Sequence, residues 1–539
     1  MLFNSIQFLL FLPLVTIIYY VIPKKIRYIW LLAVSYYFYM CWNPKYALLM
    51  AASTAITFLS GMGIQYCQKK APKQKKTAKF IVAASFASNL GILLFFKYFD
   101  WLLQNISNVF QVRLVSPFQF ILPVGISFYT FQALSYTVDV YRGEMEAEKN
   151  IFRYALFVSF FPQLVAGPIE RSKHLLSQLK QIDGIKLKLS QIREGLCCIL
   201  YGFFLKIVVA DRAAILVDQV FDNYTQYGFV ELITGAALFS LQILCDFNGY
   251  SIIAKGSARL FGISLMDNFR QPYLAVSIRE FWRRWHISLT SWFTDYLYIP
   301  LGGNKKGALR QMLHTVIVFF VSGLWHGASW HYVAWGMLHG MYLNIETGIR
   351  RIRACLKIHS HRLHSPLCGI FAPTSVNVAR YASLIWHKSP TNCEIHPVES
   401  NFQTRPGKHN IQNEKMKFST RAAKTFLVFL LTVVAWVFFR APSCRAALLY
   451  FGQMRVSVQN TSLLELGLFW YDWLILAVSV MIILGVDILH EKNVAIRGWL
   501  YQQSLWFRWI IYLAAFWGIF MFGIYGVEYD ASQFIYFQF

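Results

Sequence analysis

Four histidines occupy a stretch of the chain that has no charged side chain. From Gln311 to Ile345 there is no Asp, Glu, Lys or Arg, yet the stretch holds four of the chain's thirteen histidines. They are His314, His326, His331 and His339. An ionisable group in so apolar a segment is costly in lipid and is retained mainly for function. Imidazole titrates near neutral pH, so proton transfer is the chemistry it suits best.

A fifth histidine lies just upstream among tryptophans and arginines. The sequence F-W-R-R-W-H-I-S-L-T runs from Phe281 to Thr290 and contains Arg283, Arg284 and His286. Alone, this pattern also fits a helix lying at the membrane interface. Because 40 residues separate His286 from His326, the two rings can meet only if separate segments bring them together.

Composition places the chain in a membrane. Apolar residues fill 56% of its 539 positions and charged residues 14%, whereas about a quarter of a soluble domain is charged. The net charge of +25 does not indicate a nucleic-acid partner, because most basic residues lie between apolar runs, as in cytoplasmic loops of membrane proteins. The segments predicted inside are 24–27, 68–79, 171–193, 304–310, 350–424 and 491–508.

Threading the apolar runs between these anchors predicts an all-α polytopic protein. A span needs roughly 20 residues, which gives about eleven transmembrane helices plus one or two re-entrant segments, with both termini outside. The predicted spans are 4–22, 29–45, 47–66, 80–97, 194–212, 228–247, 424–440, 467–489 and 507–526, with 114–168 re-entering. Between 311 and 349 the chain must bend inside the membrane, and Gly323, Gly327 and Gly336 offer the bend. Irregular backbone at that depth lines a cavity, so His326 is predicted to face one.

Four motifs in order resemble those of the membrane-bound O-acyltransferases of the bacterial alginate O-acetylation type. They are F-P-Q-L-V-A-G-P-I-E-R-S from Phe161, D-F-N-G-Y-S from Asp246, the R-R-W-H segment, and G-L-W-H-G-A-S-W from Gly323. The resemblance implies helices around a central tunnel, with His326 as the catalytic histidine, His286 as its companion and Trp325 in the tunnel lining. It implies no bound cofactor.

The chemistry of acyl transfer explains why such residues are wanted. A hydroxyl that attacks a thioester needs a general base near neutral pH, and His326 fits that role. His286 is predicted to fix the tautomer of the first ring or to donate to the developing oxyanion. On one straight helix His339 would point about 140° away from His326 and lie some 20 Å along the axis, so its role stays open. His331 and His314 are predicted to serve packing, and no metal site is predicted.

The last residues, Phe534 to Phe539, form a short aromatic segment. It fits an interfacial tail outside the membrane at 527–539. It also resembles the F-x-Y-x-x-F ending of the companion peptide of teichoic-acid D-alanylation. That resemblance implies that Tyr536 accepts the acyl group with His326 as base and carries it outward as a phenolic ester.

Two features depart from the family pattern. Ile252 stands where the family commonly has Asp, which leaves Asp246 as a candidate for a buried polar network. Residues 357–417, rich in His, Ser, Asn and Pro, are predicted to be a mostly disordered cytoplasmic insertion in an otherwise single membrane domain.

The sequence therefore predicts an O-acyltransferase in a bacterial plasma membrane. It would move an acetyl or other short acyl group from acetyl-CoA or an acyl-carrier protein to a surface glycan, or to an extracellular glycan-modifying partner of the SGNH-hydrolase type. Arg283, Arg284, Lys305 and Lys306 are candidates to meet the donor, or ordinary positive-inside anchors. Two alternatives remain open at this stage: a transporter or flippase for a glycan precursor, and an inactive scaffold for an extracellular partner.

Overall fold

The computed structural model describes residues 1–70, 75–114, 122–305, 307–363, 417–456 and 462–525, and the regular secondary structure within them is helical. The α-helices are α1 Ile6–Val21, α2 Arg27–Met40, α3 Pro44–Lys70, α4 Lys75–Phe110, α5 Ile126–Tyr141, α6 Ile151–Ser159, α7 Phe161–Leu164, α8 Ser172–Lys180, α9 Leu189–Phe203, α10 Asp211–Asp222, α11 Phe229–Leu260, α12 Ile278–Arg284, α13 Ile287–Phe293, α14 Ile299–Leu301, α15 Ala308–His326, α16 Trp330–Leu363, α17 Phe418–Arg440, α18 Cys444–Gln453, α19 Trp470–Glu491, α20 Ile496–Gln502 and α21 Leu505–Phe522. Two π-helical segments, Phe204–Ala210 and Thr294–Tyr298, follow α9 and α13. Short 3₁₀ turns lie at Lys24–Ile26, Ile182–Gly184, Tyr224–Gln226, Pro272–Leu274 and Leu463–Glu465.

Seven of the described helices are long and apolar enough to cross a bilayer. They are α3, α4, α11, α15, α17, α19 and α21. The all-α polytopic prediction is confirmed, whereas the count of about eleven transmembrane helices stays a prediction.

Among the seven membrane-length helices, α11 is the most buried and the two C-terminal helices are among the least buried. In its most apolar stretch α11 buries 61% of its residues, against 17% for α19 and 6% for α21. Large apolar side chains on α21, such as Trp506 and Met521, are exposed. Because lipid solvates such side chains, these outer helices fit a lipid-facing position.

The region predicted to re-enter the membrane, 114–168, is built from short helices where the structure describes it. Asn150 begins α6 by accepting hydrogen bonds from the backbone of Phe152 and Arg153. With nine residues, α6 is only about 13 Å long and cannot cross a bilayer. The side chains of α5 are almost all buried, so this region packs inside the protein.

The bend predicted between 311 and 349 falls at one of the three candidate glycines. The backbone leaves α15 after His326 and Gly327 is extended, and a Cβ on Gly327 would lie 2.2 Å from the Tyr332 ring. Gly323 and Gly336 stay helical and serve close packing: their added Cβ atoms would lie 2.4 Å from the carbonyl oxygen of Tyr332 and 2.2 Å from that of Phe319. The segment is therefore a tight helical hairpin.

A second break separates α12 from α13, at Trp285 and His286. His286 has a left-handed backbone (φ 43°), which a residue with a side chain keeps only when its surroundings hold it there. Trp282 and Trp285 are buried, at 4% and 2% exposure. These tryptophans pack inside the protein and therefore do not form a lipid-facing belt.

Candidate active site

His326 is the last residue of α15 and is buried among aromatic rings. Its ring centroid lies 4.9 Å from that of Trp325, 4.9 Å from that of Trp335 and 5.3 Å from that of Phe439. Trp335 belongs to α16 and Phe439 to α17. The packing of three helices thus fixes where this imidazole lies.

His286 reaches the same place from the break between α12 and α13. Its ring lies 4.7 Å from Phe247, which follows Asp246 on α11, and 6.0 Å from Trp325. Both histidines therefore contact the indole of Trp325. The structure brings together the two segments that the sequence left 40 residues apart.

Three of the four motifs are joined by hydrogen bonds around His286, through Asn268 and Ser288. Ser288 Oγ accepts from the backbone N–H of Ile169 at 3.0 Å and donates to Asn268 Oδ1 at 2.6 Å. Asn268 Nδ2 donates to Ser251 Oγ at 3.0 Å. The backbone carbonyl oxygen of Asn268 accepts from the N–H of Ile287 at 2.9 Å. Asn268 was missed in the sequence because it lies outside the motifs.

His339 lies much nearer to His326 than the straight-helix argument predicted. The Trp335 ring contacts both, at 4.9 Å from His326 and 5.3 Å from His339. The straight-helix expectation is wrong because the break at Gly327 reverses the chain, so His339 lies on the returning helix. Trp282 Nε1 donates to His339 Nδ1 at 3.3 Å. This hydrogen bond links α12 to α16 close to His326.

The other two histidines contact backbone. His331 Nδ1 lies 3.1 Å from the carbonyl oxygen of Phe438, and His314 Nδ1 lies 3.1 Å from that of Gly303. Both contacts are of the kind expected for packing. Within the described ranges, no three His, Cys, Asp or Glu side chains are grouped as metal ligands.

Asp246 lies in a buried ionic cluster. Lys206 Nζ lies 2.7 Å from Asp246 Oδ1 and 2.8 Å from Asp211 Oδ1, and all three side chains are at most 6% exposed. Lys206 belongs to the π-helical segment, a local distortion frequently found at functional sites. Lys206 and Asp211 were missed because the sequence places them within one apolar run, 194–212.

The two arginines of the R-R-W-H segment have different surroundings. Arg284 pairs with Glu280 at 2.5 Å and with Glu491 at 2.8 Å, so nearby carboxylates offset its charge. Arg283 and Lys305 are exposed. These two cations remain the better candidates to meet a negatively charged donor.

A cavity of about 880 Å³ lies between α9, α11 and the C-terminal helices. Asn268 and Phe269 form part of its wall, which includes neither His286 nor His326. The ring of Phe269 lies 5.1 Å from Phe247, which in turn contacts His286. These two phenylalanines therefore separate the cavity from His286.

Several predictions fall on residues outside the described ranges. Tyr536 and the tail 527–539 lie there, as do Lys306 and residues 364–416 of the predicted insertion. The start of that insertion belongs to α16, which continues to Leu363.

The aromatic lining also offers hydrogen-bond donors. The indole N–H groups of Trp325 and Trp335 are buried and have no hydrogen-bond partner among the described residues. They border the ring of His326. In acyl transfer the carbonyl oxygen of the donor gains negative charge, and neutral N–H donors beside the base stabilise that charge.

Comparison with known proteins decides the family. A sequence model of the membrane-bound O-acyltransferase family matches residues 18–379, more than half of the chain. The chain belongs to this family. The multi-pass O-acyltransferase predicted from the motifs is confirmed, and the transporter and inactive-scaffold alternatives are set aside.

Relatives of this O-acyltransferase are named for three different acceptors. The probable alginate O-acetylase AlgI of Pseudomonas putida is 38% identical over 355 residues, which cover 65% of this chain and 71% of that protein. The peptidoglycan O-acetyltransferase of Helicobacter pylori is 34% identical over 64% of this chain and 70% of that protein. The teichoic acid D-alanyltransferase of Streptococcus thermophilus is 31% identical over 41% of this chain and 56% of that protein. A family of unknown function matches residues 356–415.

Proposed function

We propose that this O-acyltransferase moves an acetyl or other short acyl group from a cytoplasmic thioester to a polysaccharide or cell-wall polymer outside a bacterial plasma membrane. The observation that carries the proposal is the meeting of His286 and His326 at the indole of Trp325. The named substrates of the relatives are all polymers of the bacterial surface, which supports the acceptor class.

In the proposed reaction His326 is the general base. It removes the proton of the attacking hydroxyl as the oxygen bonds to the thioester carbonyl carbon. The C–S bond then breaks, and the thiolate leaves with that proton as a thiol. The indole N–H groups of Trp325 and Trp335 donate to the carbonyl oxygen while it carries negative charge. His286, whose ring also lies against that of Trp325, supports the site.

The proposed direction of transfer follows from charge and helix length. The basic segment 304–310 is predicted inside, and α15 begins at Ala308. His326 then lies about 27 Å along the helix, toward the outer face. At the inner end, exposed Arg283 and Lys305 suit the phosphates of acetyl-CoA or the acidic surface of a carrier protein.

We further propose that Tyr536 relays the acyl group. Its phenolic oxygen would attack the donor with His326 as base, and the resulting ester would pass the group to an extracellular carrier of the SGNH-hydrolase type. Tyr536→Phe should therefore abolish surface O-acylation, because the ring remains but the nucleophilic oxygen is lost. Tyr525→Phe, the same change at an exposed tyrosine after α21, is the matched control. Alkaline release of acyl groups from washed cells measures both, and unchanged release in Tyr536→Phe would exclude the relay.

The function as a whole is tested on the surface polymers themselves. Mass spectrometry of polymers from a deletion strain should show one polymer lacking a short O-acyl group, and the plasmid-borne wild-type gene should restore it. Identical polymer masses in the deletion and parent strains would contradict the proposed function.

A further inference from the structure

The helix that carries His326 ends among buried side chains, since Trp325 is 4% and His326 5% exposed. The last four carbonyl groups of an α-helix have no partner within the helix, and lipid supplies no donors. The backbone leaves the helix immediately after His326, at Gly327. The carbonyl groups before this point therefore need donors from elsewhere in the protein.

Two adjacent residues of α4 supply those donors. Tyr98 Oη donates to the carbonyl oxygen of Leu324 at 2.5 Å. Lys97 Nζ donates to that of Trp325 at 2.6 Å and to that of His326 at 3.1 Å. The same ammonium lies 5.9 Å from the centre of the Trp325 ring. Three consecutive carbonyl groups at the end of α15 are thus held by one pair of side chains.

The same face of α4 also contacts Trp330, the first residue of α16. Asn105 Oδ1 accepts from Trp330 Nε1 at 2.8 Å, and the rings of Trp101 and Trp330 lie 5.3 Å apart. Lys97, Trp101 and Asn105 follow one another at four-residue spacing, which places them on one side of the helix. One helix therefore fixes the chain on both sides of the break at Gly327.

Ordinary membrane anchoring does not account for Lys97. Anchoring lysines near helix ends extend toward the interface, whereas the ammonium of Lys97 points to the end of another helix, α15. Its ammonium contacts the backbone of two residues of the candidate site, Trp325 and His326. A cation is also favoured at the C-terminal end of a helix by the helix dipole.

We propose that Lys97 is a positioning residue for His326. By holding the carbonyl oxygens of Trp325 and His326, it sets the direction in which the imidazole and the indole face the acyl group. The inference rests on the proposed function, in which His326 is the base. Lys97 itself does not touch the reacting atoms, so its removal should lower kcat and leave donor binding nearly unchanged.

The test uses inside-out vesicles from cells expressing the full chain, supplied with [¹⁴C]acetyl-CoA. Lys97→Met should lower kcat by about 10²-fold, the cost of a misplaced catalytic group, with KM within about twofold. Lys97→Arg, which can still donate to both carbonyl oxygens, should recover at least about a tenth of the wild-type kcat. Lys69→Met, the same change at an exposed lysine on α3, is the control. Protein amount in the vesicles normalises each rate.

The outcomes separate this inference from the proposed function. Wild-type kcat in Lys97→Met, with His326→Ala inactive, overturns the positioning role alone. Wild-type activity in His326→Ala overturns the proposed function itself. If Lys97→Met does not accumulate, Lys97→Arg decides: a rate within tenfold of wild type supports the role, and a rate as low as that of His326→Ala overturns it.

Discussion

His326→Ala is expected to lower surface O-acylation by about 10²-fold to 10⁴-fold, the usual contribution of a general base. The alanine removes the only group at the end of α15 that can take a proton from an attacking hydroxyl in the proposed reaction. The packing of Trp325 and Trp335 should survive, because each indole has further aromatic neighbours. Alkaline release of acyl groups from washed cells gives the measurement.

Another histidine of the same apolar stretch supplies the control for this substitution. His314→Gln keeps a side-chain amide that can donate to the carbonyl oxygen of Gly303, the group that His314 contacts. It should leave O-acylation near the wild-type level. Equal loss in His314→Gln and His326→Ala would show that the apolar stretch tolerates no change, and the assignment of His326 as base would lose its support.

Lys206→Met is expected to be the most destabilising substitution. It leaves the buried carboxylates of Asp211 and Asp246 without the cation that lies within 2.8 Å of both. Breaking a buried ion pair in this way lowers the free energy of unfolding by about 3–5 kcal/mol. The fraction of detergent-solubilised protein that stays monodisperse after heating measures the change.

Two further variants identify the cause of that loss. Lys206→Met combined with Asp246→Asn removes one carboxylate as well, and it should be more stable than Lys206→Met alone. Lys255→Met breaks a more exposed pair with Asp267 and should cost no more than about 1 kcal/mol. A double variant as unstable as Lys206→Met would mean that the charge of Asp246 does not contribute to the effect.

The candidate histidines of the site were recognisable in the sequence because their surroundings are unusual. Imidazoles in an uncharged apolar stretch, and beside paired arginines and tryptophans, are costly residues in a membrane. The order of the four motifs identified the family. Charge and hydropathy were enough to predict the fold class, because helices surrounded by lipid are apolar and the loops between them on the cytoplasmic side are basic.

The geometry of the site was less accessible from the sequence. Three glycines were equivalent candidates for the bend, and only the close approach of Tyr332 distinguishes Gly327 from the two packing glycines. That choice reverses the chain and brings His339 behind His326, which the straight-helix argument excluded. Local spacing does not reveal such a reversal.

The supporting polar residues were missed for a different reason. Lys97 ends one predicted span, 80–97, and Lys206 lies in another, 194–212, so each was absorbed into an apolar run. Their partners are far away in sequence: the carbonyl oxygens of Trp325 and His326 for Lys97, and Asp246 for Lys206. A single charge inside a predicted span is a signal in its own right, because such a charge needs a partner.

We expect His326, as the general base, to be required for transfer of the acyl group from a cytoplasmic thioester to polymer on the other side of the membrane. Sealed inside-out vesicles test it most directly, because the cytoplasmic face is outward and the label can be added there as [¹⁴C]acetyl-CoA. We expect alkali-labile label on polymer inside wild-type vesicles and none in His326→Ala vesicles that contain the same amount of protein. Equal labelling of the enclosed polymer in both preparations would show that His326 is not the base for this transfer.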